Sequence, residues 1–236
     1  MRYSANLNII IKAIERATSH MPRDFIELEN LQANVFSANK FADSCYNRSK
    51  QILAEELLKA RPDFNITFLD GQKIVNNKSA EYSYLVFPID GLQNLARSNP
   101  DFTVAIALEH IGENGSKETV CLAINKIFGG ELYYCEKGFG AFLNNRRIRV
   151  SKRSINDRPV VVCADQSLMT KNFANRSYGC NSLEIAYLAA SRLEGAVFKN
   201  ENADFLKALL LLPKEAGGKI IENDKIIAAT NGLIEV

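Results

Sequence analysis

The feature that most constrains the fold is an apolar run that ends at an acidic glycine turn. Residues Tyr84 to Ile89 are apolar and strand-like, and Asp90-Gly91 then breaks the strand at a point where a helix can begin. A junction of this kind can hold a cation through its carboxylate and a phosphate through free helix N–H groups. It therefore marks the first candidate functional position in the chain.

Composition predicts a folded protein with a sizeable core. The chain has 236 residues, of which 47% are hydrophobic and 24% are charged, so it suits one large domain or two tightly joined halves. The 29 basic and 27 acidic residues leave a net charge of +2. This near balance favours neither nucleic acid nor a membrane as a partner, and the sequence does not indicate either.

The cysteines and the N-terminus indicate a cytoplasmic protein. The five cysteines are scattered and form no C-x-x-C pair, so we expect reduced, buried thiols rather than a zinc site or a disulfide framework. Asn8 and Lys12 interrupt the apolar run of a would-be signal peptide. No apolar stretch is long enough to span a bilayer.

The first part of the chain predicts two helices followed by an antiparallel meander. Apolar residues that recur at helical spacing predict the helices. Runs that alternate between apolar and polar residues, or that are wholly apolar, predict the strands, and Gly and Asn turns separate them. The predicted helices are 3–19 and 43–60, and the predicted strands are 82–89, 102–108, 119–127 and 131–136, with a hairpin over 141–150 that turns at Asn144-Asn145.

The second part predicts strands that alternate with helices. The expected elements are a strand over 159–163, a helix over 182–193, a strand over 196–199, a helix over 204–215 and a strand over 226–230. This alternation is typical of α/β organisation. We place a boundary near residue 150, which divides the chain into an N-terminal α+β half (1–150) and a C-terminal α/β half (151–236).

Short segments along the chain match a set of motifs in order and spacing. Phe87 to Leu95 resembles Asp-Pro-Ile/Leu-Asp-Gly-Thr-x-Asn-Phe, and Ala203-Asp204 stands at a Trp-Asp motif. Further similar segments are Pro100 to Leu108, Gly130 to Leu132, Lys137 to Asn144, Ile148 to Ser151 and Glu215 to Gly218. Together these segments resemble the inositol monophosphatase family, including its bacterial extragenic-suppressor branch, over nearly the whole chain.

The resemblance implies a fold and a chemistry. The fold is a layered αβαβα sugar-phosphatase-like arrangement of the α+β / α/β class, with an antiparallel N-terminal sheet and a smaller α/β C-terminal half. The chemistry is Mg²⁺-assisted hydrolysis of a small phosphate ester such as inositol phosphate, carried out by a homodimer. The implied metal ligands are Asp90, the Ile89 carbonyl and Asp204, and the implied substrate-binding residues are Gly91, Leu92 and Asn94.

The chain departs from the family pattern at the positions that matter most for metal binding. Phe87 replaces the first acid of the central motif, and Leu92 replaces the threonine that orients the attacking water. The family's Glu-Glu pair aligns with Gly71 and Gln72, and Asp70 stands one residue early. The carboxylates that remain form a poor cage for Mg²⁺, which demands near-octahedral oxygen coordination.

The surviving acids also have structural interpretations. Asp90 and Asp204 each precede a predicted helix and are reasonable N-caps. Lys207 lies one turn beyond Asp204, where its ammonium would pair with Asp204 in place of a metal or remain solvated. Both interpretations of Lys207 stay open from the sequence.

Three functional hypotheses follow. The first is a non-catalytic relative that acts as a binding or regulatory module, and we favour it because ligands are missing. The second is an active Mg²⁺-dependent phosphatase with a rebuilt site that uses Asp70, Asp90 and Asp204. The third is an RNA- or transcription-associated scaffold, motivated by the extragenic-suppressor branch and a basic cluster formed by Arg146, Arg147, Arg149, Lys152 and Arg153.

Overall fold

The computed structural model describes residues 4–163, 173–200 and 203–236. Helices of different lengths flank two sheets within these ranges. The helices are α1 Ala5–Thr18, α2 Met21–Leu31, α3 Val35–Ala60, α4 Leu92–Ala96, α5 Asn181–Ala189, α6 Ala203–Leu209 and α7 Leu211–Glu215. Among the described residues, no helix has both the length and the apolar character needed to cross a bilayer.

The first sheet has eight strands in the order β2-β1-β3-β4-β5-β6-β7-β8. All neighbours pair antiparallel except β1 and β3, which are parallel. The strands are β1 Asn65–Phe68, β2 Lys73–Ile74, β3 Tyr82–Asp90, β4 Thr103–Ile111, β5 Lys117–Lys126, β6 Glu131–Glu136, β7 Gly140–Leu143 and β8 Arg146–Ile148. The predicted antiparallel meander is therefore confirmed.

The second sheet has five strands in the order β10-β9-β11-β13-β12. The three strands β10, β9 and β11 are parallel, whereas β13 pairs antiparallel with both β11 and β12. The strands are β9 Val160–Cys163, β10 Ala174–Arg176, β11 Gly195–Lys199, β12 Lys219–Glu222 and β13 Ile226–Thr230. The first sheet ends before residue 150 and the second begins after it, while the division into two units stays a prediction.

Strand β3 shows how the layers are built. Its side chains alternate between two faces, so Tyr84 and Val86 join the core under α1–α3 while Leu85 and Phe87 join the core under α5–α7. The α5–α7 layer also covers the second sheet, through Ala196 and Ile227 among others. The described residues thus supply four of the five expected layers, in the order αβαβ, and a helical layer on the far side of the second sheet is not among them.

Several predicted boundaries change for local reasons. Helix α3 begins at Val35 rather than at residue 43, because the Asn34 side chain caps it by accepting a hydrogen bond from the Ser37 N–H at 3.1 Å. The helix predicted over 204–215 is interrupted at Leu210. The turn at Asn144-Asn145 is confirmed, and both residues have positive φ angles, as a tight hairpin of this type requires.

Candidate functional site

A cavity of about 550 Å³ lies where strand β3 ends. Its wall comes from α3, the segment after β1, the end of β3 and the start of α4. The lining residues are Asp43, Tyr46, Asn47, Leu69, Asp70, Ile89, Asp90, Gly91 and Leu92. Five predicted site residues, Asp70 and the run Ile89 to Leu92, therefore meet at one cavity.

Gly91 fixes how the chain turns at this cavity. It has φ +84°, a left-handed conformation that glycine adopts without strain, and it is the N-cap residue of α4. A Cβ atom added here would lie 3.1 Å from both the Asp101 carbonyl oxygen and the Cys180 Cβ. The prediction that Asp90 caps the helix that follows it is therefore wrong.

Asp90 instead caps a helix from the second half of the chain. Its Oδ2 accepts hydrogen bonds from the Ser182 N–H at 2.7 Å and the Ser182 hydroxyl at 2.6 Å. Ser182 is fully buried in the first turn of α5, where a backbone N–H lacks an intrahelical partner. Ser182 thus engages one oxygen of Asp90, and the carboxylate links the end of β3 to the start of α5.

Asp70 is paired with a cation supplied by the protein. It forms an ion pair with Lys50, and its Oδ1 accepts a hydrogen bond from the Gln72 N–H at 3.0 Å. Burial opposes ionisation of Asp70, but the hydrogen bonds from Lys50 and Gln72 outweigh it and lower the pKa of the carboxyl group. The Lys50 ammonium also lies 4.7 Å from the centre of the Phe68 ring, so its position is fixed from two sides.

Two other polar residues near the junction, Tyr46 and Asn94, differ in whether they line the cavity. Tyr46 lines the cavity, and burial, followed by the nearby Asp70 charge, raises its pKa to about 12. Asn94, a predicted substrate-binding residue, does not line the cavity. Its Nδ2 donates hydrogen bonds to the carbonyls of Asp101 at 2.6 Å and Tyr178 at 2.7 Å, so the side chain ties two loops together.

Asp204 lies apart from the other predicted metal ligands. It lines a different cavity, on the side of β4 and β5, and its carboxylate is 3.4 Å from the Lys117 ammonium. Helix α6 begins at Ala203, so Asp204 belongs to the first turn and not to the N-cap position predicted for it. Lys207 pairs with Glu222 at 2.5 Å rather than with Asp204.

Phe205, the residue after Asp204, packs against β3. Phe205 contacts Phe87 edge to face, with ring centres 5.1 Å apart and ring planes at 88°. Phe87 is 2% exposed and lies in the core between the first sheet and α5–α7. Two phenyl rings therefore meet where the central motif has its first acid and the α6 segment begins.

Mg²⁺ is the ion that the family resemblance implies here, and the three acids predicted to bind it are not gathered at one cavity. The ion needs about six oxygen ligands at about 2.0–2.1 Å, usually with carboxylates among them. Asp90 gives one oxygen to Ser182, Asp70 is neutralised by Lys50, and Asp204 faces another cavity. Among the described residues, no group of three or more acidic, histidine or cysteine side chains is arranged to hold a metal ion.

Comparison with known proteins settles the family. A sequence model described as the inositol monophosphatase family matches residues 2–225. The chain belongs to this family. An inositol-1-monophosphatase of Rhizobium meliloti (strain 1021) is 32% identical over 233 residues, which cover 92% of this chain and 85% of the relative.

Other relatives of this inositol monophosphatase family member carry a different name. A putative Nus factor SuhB of Neisseria meningitidis serogroup B is 30% identical over 92% of this chain and 86% of its own length. The crystal structure of the extragenic suppressor protein suhB from Bartonella henselae superposes with a TM-score of 0.82 at 28% identity, covering 96% of this chain and 94% of that one. The α+β fold expected for the family is thus confirmed.

Sequence reasoning missed three residues of this family member's site. Ser182, Lys50 and Phe205 determine what Asp90, Asp70 and the α6 segment do. Phe205 is next to a predicted ligand, but its contact with Phe87 is not encoded by any local sequence pattern. Ser182 is 92 positions from Asp90, so only the fold reveals that contact.

Proposed function

We propose that this chain is a member of the inositol monophosphatase family that does not hydrolyse phosphate esters and acts as a binding or regulatory module. The observation that carries the proposal is the contact between Phe87 and Phe205. It places apolar rings where the chemistry of the family requires carboxylate oxygens.

Desolvation supports the proposal. A phosphate dianion that enters the cavity beside Leu92 would lose hydration, and the loss must be balanced by charge or by hydrogen bonds. Two of the three acids that line this cavity are engaged by the protein, Asp90 by Ser182 and Asp70 by Lys50, and the third is the exposed Asp43. A junction that does not hold Mg²⁺ would lack both the bridge to the phosphate and the activated water on which metal-assisted hydrolysis depends.

The proposal predicts that the purified protein releases no phosphate from inositol 1-phosphate in the presence of Mg²⁺. A release assay at saturating substrate, run beside the Asp90→Asn variant, is the test. We expect both proteins to match a protein-free blank. Turnover in the ordinary enzymatic range of about 1–10³ s⁻¹ that disappears in Asp90→Asn would contradict the proposal.

The rival hypothesis of a rebuilt phosphatase site has less support. It needs Asp70, Asp90 and Asp204 to converge, and only the first two line the cavity at the end of β3. The ion pair between Lys50 and Asp70 would also have to break before Asp70 reached a metal. Activity that depends on all three acids would revive this hypothesis.

A second candidate is a transcription-associated role that involves RNA. Relatives named as Nus factors motivate it, together with the exposed Arg146 and Arg149 near the end of the first sheet. Two other residues of the basic cluster are less available, because Arg153 pairs with Glu194 at 2.6 Å and Arg147 packs over Gly140. The exposed Arg146, Arg149 and Lys152 form no ion pair with a described residue, so three of the five basic residues remain available to RNA.

This candidate predicts RNA binding that weakens steeply with salt, because each neutralised phosphate releases counterions. Replacing Arg146 and Arg149 by Glu should abolish the binding measured by filter retention. Replacing the exposed Lys12 and Arg23 by Glu makes the same charge change elsewhere and should leave most binding intact. Equal loss in both double variants would indicate a general charge effect, and no binding by the wild type would remove the candidate.

We propose three further properties, of which the cytoplasmic location rests on the cysteines and the N-terminal sequence and the other two rest on family membership. These are a homodimer, a cytoplasmic location, and a small phosphate ester such as an inositol phosphate as a bound ligand rather than a substrate. Sedimentation of the purified protein tests the first, because a dimer has twice the mass of the 26.3 kDa chain.

A further inference from the structure

A second cavity, of about 570 Å³, opens between the first sheet and the edge strand β12. Its wall comes from the β4–β5 hairpin, the turn before β7, helices α6 and α7, and β12. The volume falls in the range of about 300–1,000 Å³ typical of small-molecule sites. This cavity does not share its lining with the cavity at the end of β3.

Most of the charge around this second cavity is already paired. Eight charged residues line it, and six of them form three ion pairs. The pairs are Lys117 with Asp204, Lys137 with Glu118, and Lys207 with Glu222. Glu109 and Lys214 form no ion pair with any described residue. The cavity is thus left with one unpaired acid and one unpaired base.

Glu109 is the deeper of these two groups. It is 5% exposed, and its Oε2 has no hydrogen-bond partner among the described residues. A register shift between β4 and β5 falls between Leu108 and Glu109, at the cavity wall. Burial raises the pKa of this carboxyl group, with Lys117 acting in the opposite direction. A buried acceptor without a donor is unfavourable, so a ligand that brings a donor gains affinity here.

The rest of the wall suits an apolar group. Leu210 and Leu211, from the break between α6 and α7 and from the start of α7, are nearly buried and line the cavity together with Ile220 of β12. Lys214 lies one turn after Leu210 and Leu211, so the base and the apolar wall belong to the same helical segment.

We propose that this second cavity binds a small zwitterion with an apolar body, of the size of a dipeptide. The ligand ammonium donates to Glu109, the ligand carboxylate accepts from Lys214, and apolar side chains contact Leu210 and Leu211. The site goes beyond the proposed function and stands whether or not the chain hydrolyses phosphate esters, because it uses none of the residues at the end of β3.

Three peptides test the proposal on the wild-type protein by isothermal titration. L-leucyl-L-leucine carries both charges, its N-acetyl derivative lacks the ammonium, and its C-terminal amide lacks the carboxylate. We expect the parent peptide to bind with a Kd below the millimolar range and each derivative to bind at least about tenfold more weakly. Equal binding of all three peptides, or no binding of the parent at millimolar concentration, would overturn the proposal.

Matched variants assign each charge to its residue. Glu109→Gln should weaken binding of the parent peptide by about tenfold without affecting the N-acetyl derivative, and Lys214→Met should weaken the parent without affecting the amide. The exposed Glu29→Gln and Lys78→Met make the same changes far from this cavity's lining and should have no effect. A loss that is the same for all three peptides would show that the variants act on the fold, and the proposed contacts would be wrong.

Discussion

Phe87→Ala is expected to lower the free energy of unfolding by about 3–5 kcal/mol, the range for a large-to-small change at a buried aromatic residue. Phe87 is 2% exposed and contacts Phe205 edge to face across the boundary between β3 and α6. Alanine would remove that contact and leave a cavity under α5–α7. Urea unfolding followed by circular dichroism measures the change.

Phe139→Ala is the matched control, because Phe139 is 72% exposed in a turn. It should change the free energy of unfolding by no more than about 0.5 kcal/mol. If Phe87→Ala costs as little as the control, then Phe87 does not serve the core, and the ring does not belong to the apolar contact on which the proposed function rests.

Glu184→Gln is expected to stabilise the chain at pH 8 by roughly 2–3 kcal/mol. Glu184 is 1% exposed, and burial raises its pKa from 4.5 to about 7, with the Asp90 charge adding to the rise. Hydrogen bonds from the Tyr178 and Gly179 backbone N–H groups act in the opposite direction. A glutamine side chain keeps one acceptor oxygen for the Tyr178 N–H, which lies 2.6 Å away.

The sign of the pH dependence follows from proton binding. Between about pH 4.5 and pH 7 the folded chain holds a proton on Glu184 that the unfolded chain has lost, so the stability contributed by this group is present below pH 4.5 and is lost as pH rises through 7. The gain from Glu184→Gln should therefore shrink from pH 8 to pH 5. Urea unfolding at both values, with the exposed Glu113→Gln as control, checks this, and a gain independent of pH would contradict it.

The elements that the sequence predicts well are those encoded by neighbouring residues. Alternation and wholly apolar runs located β3, β4 and β6 to within a residue or a few, and Asn144-Asn145 encoded its own turn. The short strands β1, β2, β10 and β12 were not predicted. Their positions depend on pairing with distant strands, so a local pattern of two to four residues cannot reveal them.

In the candidate site, too, the local turn is predictable from the sequence but the contacts with distant residues are not. The turn at Asp90-Gly91 and the residues around it are predicted from local sequence, and four of them, Ile89 to Leu92, line one cavity together with Asp70. What each acid contacts was not predictable, because Ser182 reaches Asp90 and Lys50 reaches Asp70 from distant elements. Asp204 lies at the other cavity, whereas its neighbour Phe205 contacts Phe87 of β3.

Family membership and site chemistry are therefore separate conclusions for this chain. The fold follows from the whole set of motifs, whereas function depends on a few side chains at one junction. The acid of the central motif that survives, Asp90, has a structural task at the start of α5. Because Asp90 caps α5, its presence can be explained without a catalytic role.

The most direct test is a crystal structure of the protein grown with Mn²⁺ and inorganic phosphate, with data collected at the Mn absorption edge. Mn²⁺ takes the hard-oxygen sites that suit Mg²⁺ and gives an anomalous signal. We predict no anomalous peak within coordination distance of the Asp90 carboxylate and the Ile89 carbonyl, with the Lys50–Asp70 pair intact. A peak about 2.0–2.3 Å from both groups, with Asp70 released from Lys50 to join it, would contradict the proposal that this site binds no catalytic metal.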